Sequence, residues 1–234
     1  MLFACAVVFW LQTDAVYGGE KEETEEKGET PETVKDELPK VSADDWELVL
    51  VNKQNYIREG MEPELGSLSD GHKVDKRIVR AYERMSEAAK KDGVILVICS
   101  AYRDYDYQTG LFDKKIKGYM SEGLPYLDAY RNSAFSVTVP GTSEHTLGLA
   151  LDIVAEDYSR LDEGFEETDQ GKWLKEHAPE YGFILRYPKD KEYITGITYE
   201  PWHFRYVGVE SAEYITENGL VLEEYVRLLK EREE

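Results

Sequence analysis

Two short stretches of this sequence concentrate the residue types that bind metals and move protons. One runs Gly141-Thr-Ser-Glu-His145-Thr-Leu-Gly-Leu-Ala-Leu-Asp152, the other Tyr199-Glu200-Pro-Trp-His203-Phe-Arg-Tyr. The chain has four histidines in all, and one stands at the centre of each stretch. Zinc accepts imidazole nitrogen and carboxylate oxygen; a catalytic site holds it with three protein ligands and leaves one position for water. His145, Asp152 and His203 supply such a set, and Glu200 is left free to act on the water. Taken singly, either histidine could equally be a hydrogen-bonded structural residue. His72 and His177 lie among charged residues and read as ordinary surface histidines.

The spacing dictates what must position these groups. Seven residues of straight strand would carry Asp152 about 23 Å from His145 and point the two to opposite faces. Both must approach within about 2 Å of one ion, so the chain has to turn between them, and Gly148 sits where such a turn falls. Leu149 to Val154 is then the strand that presents Asp152. Glu200 and His203 are three apart and would also oppose each other on a regular strand. Pro201 between them disfavours a regular internal strand and lets both approach the metal.

The rest of the chain reads as one ordinary domain preceded by an appendage. A formal net charge of −20 argues against nucleic acid as a partner, since a phosphate backbone needs Lys and Arg to replace its counterions. It argues equally against a polybasic membrane anchor. Residues 1–18 read as a signal peptide: Leu2 to Leu11 is an apolar run of h-region length, too short to span a bilayer, with small residues following. Processing there leaves no transmembrane span in the mature chain and places it outside the cell or on its surface. Residues 19–42 are rich in Glu, Lys, Thr and Pro and read as an acidic, disordered tether. The domain occupies 43–234.

Within the domain, Trp46 to Val51 reads as a first strand or lead-in segment. Val74 to Lys91 has helical apolar spacing, stopped at Gly93. Val94 to Cys99 is an apolar, β-branched run expected to be a buried strand, which makes Cys99 a buried structural thiol. Helix is expected over Tyr105 to Met120, Asp169 to Tyr181 and Glu210 to Glu231, and strand over Phe183 to Tyr187 and His203 to Val207. Helices and strands do not alternate regularly enough for a doubly wound sheet, so the fold class is α+β. Arg103 follows the Val94–Cys99 run in an aromatic-rich loop. Its guanidinium could grip a carboxylate bidentately or pair with Asp104 or Asp106 on the surface. Tyr102, Tyr105 and Tyr107 are either pocket walls or packing.

The two stretches, together with Ser100-Ala-Tyr-Arg103-Asp-Tyr-Asp-Tyr-Gln108, Phe183-Ile-Leu-Arg-Tyr-Pro-Lys and Ile194-Thr-Gly, resemble the zinc D-Ala-D-Ala carboxypeptidase family of the VanY type, which also contains L,D-carboxypeptidases. The likeness runs in order over about residues 45 to 210. The resemblance implies the Hedgehog/D,D-peptidase fold, a small antiparallel sheet flanked by helices. It implies one zinc ion on His145, Asp152 and His203, with Glu200 as the general base that takes a proton from water and passes it to the leaving amine. Arg103 would stabilise developing negative charge or hold the terminal carboxylate. Gln108 and Ser143 would help hold that carboxylate, and Tyr187 and Trp202 would line the pocket.

The activity so implied is zinc-dependent removal of the C-terminal D-Ala from peptidoglycan stem peptides by a monomeric, secreted or wall-associated peptide hydrolase. Two neighbours in the same chemistry stay open: an L,D-carboxypeptidase acting on tetrapeptide stems, and an endopeptidase that cuts internal bonds. A non-catalytic wall-binding module is disfavoured by the intact Glu200. A calcium-dependent adhesion domain is disfavoured because His is a poor ligand for that hard ion.

Overall fold

The computed structural model describes residues 37–233; the signal-peptide reading, and most of the tether reading, fall outside them. After a 3₁₀ turn at Trp46–Leu48, a short antiparallel ribbon pairs β1 (Leu65–Ser67) with β2 (Lys73–Asp75), followed by helix α1 (Val79–Lys91). Strand β3 (Val97–Ser100) leads into a helical hairpin of α2 (Tyr105–Ser121) and α3 (Tyr126–Ser136). Then come β4 (Ala150–Val154), α4 (Asp169–His177), β5 (Phe183–Leu185), the single turn α5 (Glu192–Thr195), β6 (His203–Tyr206), α6 (Val209–Glu217) and α7 (Leu222–Glu233). The main sheet is antiparallel throughout, in the order β3-β4-β6-β5. The α+β class and the small antiparallel sheet expected from the sequence are both present.

Local chemistry explains where the helices begin. The Asp104 carboxylate accepts the Tyr107 amide at 2.7 Å, capping α2, and the Thr168 hydroxyl accepts the Gly171 amide at 3.0 Å, capping α4. Each cap satisfies one of the amides a helix leaves unpaired at its start. In α1, Tyr82, Met85 and Ala89 are buried at helical intervals.

Sheet faces follow from register, because residues directly opposed across two strands project to the same side. Leu151 opposite Phe204, with Ile153, faces a core completed by Met85, Trp173 and Leu174 from α1 and α4. Asp152 opposite His203, and Ala150 opposite Arg205, face the other way. Beside that second face, Ile184, Val207 and the helices α6 and α7 form a separate core. A third, much smaller cluster of Phe112, Ile116, Ala129 and Ala134 holds the α2–α3 hairpin together.

Several expectations are corrected. Trp46–Leu48 is a 3₁₀ turn, not a strand, and α1 starts five residues after Val74, whose own residue belongs to β2. The closing helix is two, divided at Asn218-Gly219 where Gly219 takes a positive φ of 59°. Helix α3 had no counterpart in the sequence reading. Cys99 is exposed: β3 is an edge strand whose register shifts between Ile98 and Ser100, so Ile98 faces the core while Cys99, the extra residue, is left unpaired and open. At the start of the domain, Leu38 and Val41 pack against the α6–α7 core, and Arg232 donates to the carbonyls of Pro39 and Val41.

Candidate metal centre

Asp152 is the centre of the site. Its strand neighbours are Ser100 on β3 and His203 on β6, each directly opposed to it in register. The β4–β6 pairing therefore sets Asp152 and His203 side by side, with His203 Nδ1 3.0 Å from Asp152 Oδ1. His145 arrives by a different route. It lies in a 3₁₀ turn (Glu144–Leu147) ended by Gly148, which takes a left-handed φ of 66°. That is the turn the spacing required. Any side chain at Gly148 would also collide with the backbone of β2, a Cβ there falling 2.6 Å from the Asp75 amide nitrogen.

The ligand atoms of His145, Asp152 and His203 lie within 4.8 Å of one another, and all three residues are buried. The His145 Nδ1 stands 2.7 Å from the Ala101 carbonyl, which can only accept, so Nδ1 carries the hydrogen. The opposite nitrogen, Nε2, is buried without a hydrogen-bond partner, 3.3 Å from Asp152 Oδ2. A bare imidazole nitrogen aimed at a carboxylate fits a metal ligand poorly satisfied by protein alone. Two imidazoles and a carboxylate fit zinc by donor type and count.

Electrostatics separates the groups. Burial pushes His145 down to about 4, keeping it neutral. His203 is pushed the other way, to about 9: burial lowers it, but the carboxylates of Asp152, Glu144 and Glu200 around it outweigh that. Burial raises the Asp152 carboxyl too, yet the two histidines hold it well below the usual carboxylate range. Glu200 follows β5 and precedes β6, its amide bonded to the Tyr187 carbonyl at 3.1 Å. Burial lifts its carboxyl to about 8, and its Oε2 lies 3.7 Å from His203 Nδ1. A buried carboxylate with raised proton affinity beside a ligand cluster is suited to general-base work.

The other expected residues surround a cavity of about 590 Å³ that opens from the ligand cluster. Arg103 lines it, with Nη1 3.4 Å from Asp152 Oδ2 and 3.3 Å from Ser100 Oγ; its surface pairing with Asp104 or Asp106 does not occur. Ser143 lines it with a buried hydroxyl that has no hydrogen-bond partner among the described residues. Tyr187 stacks obliquely on His203, ring centroids 4.8 Å apart, and Trp202 adds a second aromatic wall. Gln108 is placed differently: it is fully buried, and its amide nitrogen donates to the Thr138 carbonyl and hydroxyl at 2.8 and 3.1 Å. Its donors are spent on holding Thr138, itself a pocket residue. Tyr105 and Tyr107 are exposed.

One group escaped the sequence reading. Glu144, next to His145, is buried and ion-paired to Arg186 at 2.7 Å and Arg205 at 2.9 Å; Arg186 continues to Glu223 of α7 at 2.7 Å. Burial would raise its carboxyl, but the two arginines hold it well below the usual carboxylate range. The signal was present: Arg186 and Arg205 each interrupt an aromatic and aliphatic strand run, where an arginine needs a buried partner.

A mononuclear His–Asp–His cluster with a free buried carboxylate beside it, on this antiparallel sheet, defines a metallohydrolase. Residues 71–209 match the family model described as VanY, D-alanyl-D-alanine carboxypeptidase. A D-alanyl-D-alanine carboxypeptidase of Enterococcus faecalis is 42% identical over 188 residues, 80% of this chain and 68% of that protein. Among solved structures, VanYB in complex with D-alanine-D-alanine superposes with a TM-score of 0.73 at 42% identity, over 78% of this chain and 98% of the other. A D,D-pentapeptidase VanY variant from a VanB-type vancomycin resistance cassette, in complex with Zn(II), superposes at 0.72 with 43% identity, over 78% and 99%. The chain belongs to the VanY D-alanyl-D-alanine carboxypeptidase family, and zinc is its metal.

Proposed function

We propose that His145, Asp152 and His203 hold the zinc, that Glu200 is the general base, and that the enzyme trims the terminal D-Ala from peptidoglycan stem peptides outside the cell. The observation that carries this is the convergence of three buried ligand atoms within 4.8 Å, with the Glu200 carboxylate 3.7 Å from His203. Zinc held there supplies Lewis acidity, making water more acidic and a carbonyl more electrophilic.

The chain's own residues do the remainder. Glu200 takes a proton from the water that attacks the scissile carbonyl carbon. As the C–N bond breaks, the same carboxyl returns that proton to the departing amine of D-Ala, so the products are a new carboxylate and a free amino acid. Arg103 lies on the Asp152 side of the cavity, where it stabilises the negative charge that builds on the carbonyl oxygen or grips the terminal carboxylate. The unpartnered Ser143 hydroxyl donates to the same anion. Gln108 acts one step back, by fixing Thr138 in the wall. Tyr187 stays a neutral phenol, since burial first and the nearby Glu144 next push its pKa well above the usual range. With Trp202 it shapes the pocket.

All these groups come from one chain, so a monomer suffices. Among the described residues no helix is long and apolar enough to cross a membrane. Secretion is the reading that places the enzyme beside its substrate. Metal analysis tests the assignment: close to one zinc per chain is expected for the wild type and almost none for His203→Ala. An unchanged stoichiometry would remove His203 from the ligand set.

A further inference from the structure

Glu144 shares the 3₁₀ turn of one zinc ligand, yet its side chain runs to another. Its Oε1 accepts a hydrogen bond from Arg186 Nε at 2.7 Å and is ion-paired with Arg205 Nη1 at 2.9 Å. Both arginines are themselves tied down: Arg186 by Glu223 at 2.7 and 2.8 Å, Arg205 by the carbonyls of Glu47, Val49 and Tyr206 at 2.8 to 2.9 Å. The carboxylate is therefore clamped through one oxygen. The other, Oε2, is buried and has no hydrogen-bond partner among the described residues. It faces His203 Nε2 at 3.6 Å, and that nitrogen also has no hydrogen-bond partner. The opposite ring nitrogen, Nδ1, is the one turned toward Asp152 and Glu200.

We infer that Glu144 is the positioning residue for His203: it takes the Nε2–H, fixes the tautomer, and so commits Nδ1 to the metal. The inference rests on His203 being a zinc ligand. His145 is arranged in the mirror sense, its Nδ1–H given to the Ala101 carbonyl and its Nε2 left for the ion. The two histidines thus use different ring nitrogens, one oriented by a backbone carbonyl and the other by a carboxylate. A metal-bound imidazole whose second N–H meets a carboxylate is the better donor of the two. The clamp also explains why Arg186 and Arg205 are buried in the sheet: they make Glu144 an anion that cannot turn away. Through Glu223 the same chain of charge reaches α7, so the C-terminal helix helps hold a metal ligand in the centre of the sheet.

Imidazole ¹⁵N–¹H correlation spectra of the wild-type enzyme, with and without zinc, test this directly. On zinc loading, the metal-induced shift should fall on Nδ1 of His203, with the proton kept on Nε2. A shift on Nε2, with the proton on Nδ1, would leave His203 a ligand and overturn the role given to Glu144. No response of His203 to zinc would overturn the ligand assignment, and this inference with it. As a second reading, Glu144→Gln should weaken zinc binding in a chelator competition by roughly 10- to 100-fold and broaden or lose the Nε2–H signal by faster exchange with water. Glu144→Gln protein that binds zinc as tightly as wild type, with that signal unchanged, would contradict the proposal.

Discussion

The strand pair that carries the metal site and the helical hairpin that walls the far side of the pocket are built on opposite terms. Every residue of β4 is buried, and Asp152 and His203 are held by register, by ion pairs and by cores on both sides. The α2–α3 hairpin has a core of four buried side chains and exposes Tyr105, Tyr107, Met120, Tyr126, Leu127 and Phe135. It still supplies Lys114, Tyr119 and, from the segment after α3, Thr138 to the cavity. The difference separates two tasks. The proposed ligands sit on strands packed from both sides, and the far wall is lined by a hairpin with only a small core of its own. Substitutions on the strands should therefore act on metal and kcat, and substitutions on the hairpin on KM.

The most severe break should come from His203→Ala, which removes one of the three groups proposed to hold the zinc. Zinc content and activity should both fall to background, read by metal analysis and by release of D-Ala. Next is Glu200→Gln, nearly the same shape but without a base. Zinc and KM should be retained while kcat falls by roughly 10²–10⁴-fold. Loss of zinc in this variant would mean that Glu200 is a ligand. Arg103→Lys keeps the charge and loses the planar fork, so both KM and kcat should suffer, more moderately than in the glutamate variant. In Arg103→Ala the preference for a free over an amidated C-terminus should shrink.

On the hairpin, Phe112→Ala opens a hole in a very small core. Local stability should fall by roughly 3–5 kcal/mol, raising KM while zinc content stays at one per chain. Zinc loss in that variant would show that the two regions are not separable. The smallest effect should come from starting the chain at residue 43 instead of 37. Losing the contacts of Leu38 and Val41, and the carbonyls that hold Arg232, should lower Tm by about 2–4 °C for each kcal/mol lost, with activity unchanged.

How much of this could be read from sequence differs between the same two regions. The sheet site was legible because its geometry is forced: His145 and Asp152 cannot meet without a turn, and Gly148 is where the chain makes it. The His145, Asp152 and His203 cluster expected from spacing and family likeness is the one the fold assembles. Helix α3 was not legible. Tyr126–Ser136 has a weak apolar stripe and no capping side chain, and its helicity depends on packing against α2. The exposure of Cys99 is not legible, because an apolar run says that a strand exists but not that it lies at the sheet edge or slips register there. Glu144 was missed because a glutamate beside a ligand looks like a surface residue until two distant arginines converge on it. Such long-range charge pairing leaves no local pattern in the chain.

One mass-spectrometric comparison decides whether this enzyme is a carboxypeptidase that requires a free C-terminus. Zinc-loaded wild-type enzyme is incubated with a stem pentapeptide ending in D-Ala-D-Ala, as the free acid and as the C-terminal amide. A single terminal D-Ala should be lost from the free acid, with little or no cleavage of the amide. Equal cleavage of both, or scission at an internal bond, would contradict this and make the enzyme an endopeptidase.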